Sequence, residues 1–503
     1  MSTFPISDEP KLGEKAHHAQ INHSPDTKQP IDSEGASIVA EFDQHATKRL
    51  LRKMDIRLIP FVALLYLLSF LDRTNIGNAR LAKLEVDLHM VGLNYSTALA
   101  IFFPFYVLAG LPSNIMMERT RPSRWIPFIT VTWGFICCMM GIVKNLDGLL
   151  AARAFLGIAQ GGLFPGVSFY ITMWYRRHEC GLRMALFFSA ATAAGAFGGV
   201  LARALIAMDG TAGRPGWAWI FIIEGVITVA LGLVAFFAMQ DYPETATFLT
   251  PEEKTEVERR LKADRNGLAD EWDLLYVKQA LTDWKIWVQM LINIGIYMPL
   301  YSISLFLPTI VRSLGYQDNT AQLMSAPPYL LACILCIAAG VVGDRIGQRG
   351  MIIATFNVIA MIGFILLVSS TNGTVKYIGT FFAAAGIYPN IPQAVAWTGN
   401  NIGGSTKRGI GIAMHVGFGN LAGIIAAFLY PVKDQPHYRP GNATHIGSLA
   451  MSTVLCMLMT VYLRRENARR DAKYHKKPSE YTDEEKEKER DRGDNASFFR
   501  YTL

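Results

Sequence analysis

Length, composition and charge separate this chain from ordinary soluble proteins. It has 503 residues, of which 51% are hydrophobic and 18% charged, with a formal net charge of +7 and a mean hydropathy of +0.23. This composition excludes a single soluble core and indicates a polytopic membrane protein. The positive charge lies mainly beside the apolar segments, so it does not indicate a nucleic-acid partner.

The N-terminal region contains no apolar segment. The first 50 residues are polar and lack a basic start followed by an apolar core, so no cleavable secretory signal is predicted. Residues 1–54 are therefore expected to be a cytoplasmic tail, and the first membrane helix is expected to act as the targeting segment.

The first apolar run ends in two adjacent opposite charges. Residues 58–71 are apolar and span only about 21 Å as a helix, whereas a bilayer core is about 30 Å thick. A helix of sufficient length must continue to Ala79, which places Asp72 and Arg73 at membrane depth.

Apolar segments of similar length recur along the chain. Lipid-facing strands cannot satisfy their backbone groups, so we predict an all-α membrane protein of about twelve transmembrane helices in two pseudo-symmetric six-helix bundles. The predicted segments are 58–79, 93–118, 124–143, 148–175, 184–207, 217–239, 285–311, 321–343, 350–370, 375–398, 409–432 and 444–463. The predicted bundles occupy 55–240 and 285–465, with a cytoplasmic linker at 241–284 and a cytoplasmic tail at 466–503.

Basic residues flanking the segments predict the topology. An even number of helices places both termini on one side, and the flanking basic residues assign that side to the cytoplasm. Three candidate N-glycosylation acceptors, Asn94, Asn372 and Asn442, then fall in loops assigned to the outside. The basic residues are Lys48, Arg49, Arg52, Lys53 and Arg57 before the first helix, and Arg464, Arg465, Arg469, Arg470 and Lys473 after the last.

The linker and the C-terminal tail have different patterns. Thr250-Pro251-Glu252-Glu253 predicts a helix start, with Thr250 as the cap and Glu253 completing a capping box. A short charged helix to about Arg265 follows, either as a tether that couples the halves or as a solvated connector. The final 40 residues, which include EEKEKERDR, are expected to be a flexible tail.

Neither a metal nor a cofactor is predicted. Cys333 and Cys336 have the spacing of metal ligands but lie in an apolar segment without a nearby histidine or carboxylate, so packing is favoured. The glycine-rich stretches 190–199 and 415–423 lack a phosphate-binding lysine and favour close helix packing. No catalytic constellation is visible, so an enzyme is not predicted.

The two halves repeat each other at a nearly constant offset. GGLFPG around Pro165 corresponds to AGIYPN around Pro389, and Arg183 corresponds to Arg408. Parallel six-helix repeats imply a site near the midplane between the halves. At the same offset Arg73 corresponds to Tyr297, so we expect a cation and an aromatic hydroxyl at matching depth.

Several of these motifs resemble known families. GDRIGQRG at 343–350 resembles the loop signature of the major facilitator superfamily, with Asp344, Arg345 and Arg349 as a gating loop. LLSFLDRTNIGNAR, LFPGVSFYITMWYRRHE, WIFIIEG and WTGNNIGGSTKR resemble the fungal allantoate permease branch of the anion:cation symporter family. The resemblance implies the major facilitator fold and an alternating-access carrier of carboxylates such as allantoate, nicotinate or pantothenate.

The resemblance also implies roles for particular residues. Arg73 would bind the substrate carboxylate and Asp72 would take part in proton coupling. In the related transporters a glutamate on the fourth helix stands where this chain has Gln160, which cannot titrate. Proton symport is therefore the first hypothesis, and a uniporter or exporter of an organic anion is the alternative.

Other polar residues in the apolar segments are weaker site candidates. Tyr297 and Tyr301 are spaced i, i+4 and would present rings and hydroxyls on one helix face. Asp72 is either a proton carrier or a fixed partner of another residue such as Arg153. Asn390 and Asn420 are expected to bind the substrate from the opposite wall. The remaining candidates line the cavity or join helices by hydrogen bonds; they are Arg153, Gln160, Glu224, Gln393 and His415.

The sequence therefore predicts a secondary carrier that imports a small organic anion, most simply a monocarboxylate such as nicotinate, together with protons. Its expected partners are that anion, protons and the lipid bilayer. The protein is expected to be a monomer in the plasma membrane, with both termini in the cytoplasm.

Overall fold

The structure is a computed structural model that describes residues 44–503 except 177–178, 266–273, 317, 435–436, 475 and 477–479. Residues 49–503 form one compact unit, to which residues 44–48 do not belong. Within the described ranges the regular secondary structure is helical, without strands.

The α-helices are labelled in chain order. They are α1 Gln44–Thr74, α2 Ile76–Leu81, α3 Leu84–Asp87, α4 Asn94–Ala100, α5 Phe102–Thr120, α6 Pro122–Met140, α7 Leu146–Gln160, α8 Leu163–Trp174, α9 Cys180–Ile206, α10 Gly216–Ala238, α11 Pro251–Arg265, α12 Leu274–Thr282, α13 Trp284–Ser313, α14 Asp318–Met324, α15 Ala326–Ile346, α16 Arg349–Ser369, α17 Gly373–Ile387, α18 Asn390–Asn400, α19 Ser405–Ala426, α20 Arg439–Tyr474 and α21 Asp483–Lys488.

The membrane segments follow the predicted pattern. Ten helical stretches of the described chain are long and apolar enough to cross a membrane, and they match ten of the predicted segments. The other two, 93–118 and 375–398, are each formed by consecutive helices, α4 with α5 and α17 with α18. The all-α membrane fold is therefore confirmed.

Large apolar side chains cover much of the outer surface. Leu108, Phe135, Phe237 and Leu330 are among many that are more than half exposed. An aqueous surface of this kind would be costly, whereas a bilayer accommodates it.

Two membrane segments are interrupted within corresponding motifs of the sequence repeat. Gly161 and Gly162 separate α7 from α8, and Tyr388 and Pro389 separate α17 from α18. These are the GGLFPG and AGIYPN motifs. Paired interruptions in corresponding segments of two repeats indicate where a carrier binds its substrate.

The linker helix α11 begins and ends as predicted. Thr250 Oγ1 accepts from the Glu253 backbone N–H at 3.3 Å, and Glu253 Oε2 accepts from the Thr250 backbone N–H at 2.9 Å. Glu253 also pairs with Lys53 at 2.6 Å, and Arg260 pairs with Glu179. The helix is thus anchored to the N-terminal half, and we call the end of the bundle where it lies the linker end.

The last residues do not form the flexible tail that their composition predicts. Residues 490–503 pack against the linker end of the C-terminal half, where Thr502 exchanges backbone–side-chain hydrogen bonds with Asn401. The Asp494 carboxylate is fully buried and pairs with Lys285 at 2.7 Å and with Lys407. The charge-rich composition was misleading because the Asp494 carboxylate is satisfied by lysines at membrane-helix ends rather than by water.

Asp494 should make a measurable contribution to stability. Burial alone would raise the pKa of its carboxyl, but Lys407 and Lys285 outweigh it and hold the pKa below its ordinary value. The contribution is therefore complete above the ordinary aspartate pKa of about 3.9 and is lost as the pH falls through the lower native value.

We expect Asp494→Asn to destabilise the protein by about 2 kcal/mol at neutral pH, because buried Lys407 and half-buried Lys285 lose one of the two carboxylates that they share and keep only Asp283. Thermal unfolding in detergent measures the change. Asp471→Asn is the control, because Asp471 pairs with Arg500 at the surface and such pairs contribute at most about 1 kcal/mol. Equal losses of stability in both variants would show that the buried ion pairs of Asp494 contribute no more than a surface ion pair.

Candidate functional site

Arg73 is enclosed by aromatic rings at the interface between the two halves. Its side chain is buried, and its guanidinium carbon lies 4.8 Å from the Phe102 ring centroid and 4.5 Å from that of Tyr106. Nη1 donates to the Tyr301 hydroxyl at 3.1 Å, and Nε has no partner among the described residues. No carboxylate of the described chain forms an ion pair with Arg73. The guanidinium therefore keeps hydrogen-bonding capacity for an anion.

The C-terminal half contributes Tyr297, Tyr301 and Asn420. Tyr301 donates its hydroxyl to Asn420 Oδ1, and the Tyr297 and Tyr301 rings are 6.0 Å apart. Asn420 Nδ2 donates to the Val416 carbonyl at 2.7 Å. The repeat offset paired Arg73 with Tyr297, but the direct contact is one helical turn further along α13, at Tyr301.

Asp72 faces away from Arg73, into the N-terminal half. It accepts hydrogen bonds from Trp133 Nε1 at 3.2 Å, from Thr228 Oγ1 at 3.2 Å and from Cys137 Sγ at 3.6 Å. The suggested pairing of Asp72 with Arg153 is wrong. Adjacent residues point about 100° apart on a helix, and the donors on α6 and α10 occupy the side that Asp72 faces.

Arg153 instead supports the backbone around the site. Its Nη1 donates to the Arg73 carbonyl at 3.3 Å and its Nε to the Ala98 carbonyl at 3.2 Å. Its guanidinium also lies 5.2 Å from the Phe102 ring centroid. Arg153 thus holds the α1–α2 break and the end of α4 in place beneath Arg73.

Two of the amide candidates lie at the interrupted helices. Gln160 ends α7 and is fully buried, yet neither its Oε1 nor its Nε2 has a partner among the described residues. Asn390 begins α18 and donates to Asn357 Oδ1 at 2.8 Å and to the Gly386 carbonyl at 3.0 Å. Gln160 is therefore available to a ligand, whereas Asn390 is used mainly to join helices.

Glu224 and His415 lie away from Arg73. Glu224 is buried on α10 and accepts a hydrogen bond from Asn75 Nδ2. His415 Nδ1 is 3.1 Å from Thr398 Oγ1, and the His415 carbonyl accepts from Asn293 at 2.8 Å. In the structure both residues therefore form hydrogen bonds that join neighbouring helices.

The GDRIGQRG loop holds the linker end closed. Asp344 pairs with Arg349 and accepts from the Leu182 backbone N–H at 2.7 Å, at the start of α9 in the other half. Gln393 accepts from Arg349 at 2.8 Å and donates to the Ala339 carbonyl at 2.8 Å, so it belongs to this closure rather than to the cavity wall. Arg345 is exposed at the loop surface.

A second contact closes the opposite end. Gly77, one turn beyond Arg73, packs so closely on α13 that a Cβ there would lie 2.6 Å from the Leu305 carbonyl oxygen, one turn beyond Tyr301. Both ends are closed, which explains why Arg73 and Tyr301 are only 2% exposed.

The three candidate glycosylation sites differ in exposure. Asn372 is exposed and caps α17 through its Oδ1, and Asn94 begins α4. Asn442 was assigned to a loop, but it lies inside α20 and is 3% exposed. Its Nδ2 donates to the His437 carbonyl at 3.0 Å and its Oδ1 accepts from Tyr430 at 2.6 Å, so in this conformation the amide cannot accept a glycan.

Sequence reasoning missed the residues that surround the two charges. Phe102 and Tyr106 enclose Arg73, and Trp133 and Thr228 bind Asp72. The i, i+4 spacing of Phe102 and Tyr106 was a usable signal, because it places two rings on one helix face. Trp133 and Thr228 gave no signal, since single polar or aromatic residues in apolar helices are common.

A helical membrane protein with paired helix interruptions and a buried cation between two halves has the architecture of a membrane transporter. The chain belongs to the Major Facilitator Superfamily, whose family model matches residues 62–427. The predicted superfamily and fold are thereby confirmed.

Individual relatives agree with this assignment. The chain is 36% identical over 451 residues to the MFS transporter prlL of a fungal species, covering 87% of this chain and 89% of that protein. It is 31% identical over 471 residues to the high-affinity nicotinic acid transporter of Saccharomyces cerevisiae, covering 91% and 88%. Among solved structures, the proton:xylose symporter XylE matches with a TM-score of 0.60 at 15% identity, covering 81% and 95%. That likeness concerns the fold alone.

Proposed function

We propose that this protein imports a small organic monocarboxylate, of the size and shape of nicotinate, by proton symport and alternating access. Arg73 binds the carboxylate, and the rings of Phe102, Tyr106, Tyr297 and Tyr301 accommodate a flat body. The nicotinic acid transporter of Saccharomyces cerevisiae, at 31% identity, supports this substrate class.

The observation that carries the proposal is the buried guanidinium of Arg73 without an acidic partner among the described residues. A cation at membrane depth is costly unless it is paired. Aromatic faces and one hydroxyl compensate only part of that cost. A substrate carboxylate would supply the missing counter-charge with a bidentate geometry.

A carrier without proton coupling, acting as uniporter or exporter, is the second candidate. Gln160 favours it, because an amide stands where related carriers have a titratable glutamate. Asp72 favours symport, because it is a buried acid directly beside the anion-binding arginine.

The proposed setting is the plasma membrane, with both termini in the cytoplasm. The basic residues before α1 and at the end of α20 support this orientation. We propose a monomer of two six-helix bundles, 55–240 and 285–465, joined through 241–284 and moving about the central site.

Uptake of labelled nicotinate into liposomes containing the purified protein tests the proposal. We expect uptake to be accelerated by an acidic exterior and inhibited by unlabelled monocarboxylates. Nicotinamide, which has the same ring without the charge, should not compete because Arg73 selects the carboxylate. Equal competition by nicotinamide would contradict the anion site, and indifference to both proton gradient and membrane potential would favour the uncoupled carrier.

A further inference from the structure

Two buried carboxylates lie on the same helix interface. Asp72 on α1 accepts from Thr228 on α10 at 3.2 Å, and Glu224 on α10 accepts from Asn75, between α1 and α2. Asn75 follows Asp72 by three residues and Thr228 follows Glu224 by four. The two segments are therefore antiparallel, and the two contacts lie about one helical turn apart along them. The carboxyl groups are therefore about one helical turn, on the order of 5 Å, apart.

Neither carboxylate has a cationic partner within the described ranges. Asp72 and Glu224 are 0% and 1% exposed, and no salt bridge of the described chain involves them. The titratable groups that face Glu224 are Asp72 from α1 and Cys137 from α6. The other described groups around this pair are uncharged. They include the side-chain amides of Asn75 and Asn78, and Gly198 of α9, which packs against Asn75. Two such carboxylates cannot both be ionised without a large cost, so one proton is held between them.

The hydrogen bonds distinguish the two acids. Three donors, from Trp133, Thr228 and Cys137, converge on Asp72 and stabilise its charged form. Glu224 Oε1 accepts from Asn75, whereas Glu224 Oε2 is buried without a described partner. An unpartnered carboxyl oxygen in an apolar site is where the shared proton is best placed.

We propose that Asp72 and Glu224 form a proton-binding pair in which Glu224 carries the exchangeable proton, taking over the role that Gln160 cannot perform. This inference rests on the proposed function, since it names the coupling site of that carrier. In each cycle the Glu224 carboxylate takes a proton from water on one side and returns it to water on the other, so one proton accompanies one anion. Asn75 follows Arg73 by two residues at the α1–α2 break, so a displacement of Arg73 on anion binding also moves the hydrogen-bond donor of Glu224.

Glu224→Gln tests the pair in liposomes, with labelled nicotinate as the probe. We expect the acceleration by an acidic exterior to fall by about tenfold or more, while exchange of nicotinate without a gradient stays within about twofold of wild type. Proton uptake per nicotinate, followed with a pH dye, should fall from one to zero. Glu85→Gln is the matched control, because Glu85 pairs with Arg80 near the surface at 3.0 Å.

The outcomes separate this inference from the proposed function. If wild type is driven by the proton gradient and Glu224→Gln responds equally, the pair is wrong and the carrier function stands. If wild type neither accumulates nor exchanges any monocarboxylate, the proposed function fails and this inference fails with it. Should Glu224→Gln not reach the membrane, Glu224→Asp decides the question: a displaced pH midpoint supports the pair, and an unchanged midpoint overturns it.

Discussion

Replacing Arg73 with alanine is expected to reduce carboxylate uptake by more than about 100-fold, equivalent to roughly 3 kcal/mol, while the protein still reaches the membrane. The substitution removes the guanidinium that lies between Phe102, Tyr106 and Tyr301. Arg73→Lys keeps the charge but loses the planar fork, so it should weaken apparent affinity by about tenfold. Uptake and surface expression measured on the same cells give both quantities.

Two further variants help to interpret the effect of replacing Arg73. Tyr301→Phe removes the hydroxyl that accepts from Arg73 and donates to Asn420 but keeps the ring, so affinity should fall by about fivefold through loss of the hydrogen bond to Arg73. Arg80→Lys is the control, because Arg80 lies over Tyr95 and pairs with Glu85 outside the site. Near-normal uptake by Arg73→Ala would refute the anion site, whatever the other variants show.

Gly77→Val should abolish transport by preventing closure. Gly77 packs one turn beyond Arg73 against the Leu305 carbonyl, where even a Cβ would lie at 2.6 Å. A valine must hold α2 and α13 apart, so the far end cannot close over a bound substrate. We expect uptake below about one tenth of wild type with binding retained, because the guanidinium itself is unchanged.

Binding of labelled nicotinate to detergent-purified protein separates the two effects of Gly77→Val. Gly447→Ala is the control, because a Cβ at Gly447 meets nothing within 4 Å and the residue also lies in a helix. Wild-type transport by Gly77→Val would show that this contact is not needed for the cycle. Loss of binding together with transport would indicate a damaged site instead of a blocked movement.

The fold was predictable because membrane helices are long and consist mainly of apolar residues. Twelve apolar segments and the repeat around Pro165 and Pro389 indicated two six-helix halves, and the resemblance of GDRIGQRG to a known loop signature indicated the superfamily. The charged C-terminal segment was not predictable in the same way. Asp494 is buried only because Lys285 and Lys407, far away in sequence, meet it at the linker end.

The candidate site was predictable at its charged residues and, from their i, i+4 spacing, at the two tyrosines of α13. Arg73 and Asp72 attract attention because charge at membrane depth is rare. Their partners depend on helix rotation, which sequence spacing leaves open by about a turn, and this explains why Tyr301 rather than Tyr297 contacts Arg73. The link between Asp72 and Glu224 was likewise invisible, because it depends on packing between α1 and α10.

The buried cluster around Asp494 also constrains the order in which parts of the chain can assemble during synthesis. Lys285 and Lys407 also pair with Asp283, but their second carboxylate, Asp494, is synthesised roughly 200 residues, or about 10–40 s, after Lys285. Helices α1 to α20 are all synthesised before that charge. The charge cluster at the linker end is therefore completed only after these helices have been made. A stop codon shortly before Asp494 would yield a protein that keeps α1 to α20 but leaves Lys285 and Lys407 with Asp283 as their shared carboxylate.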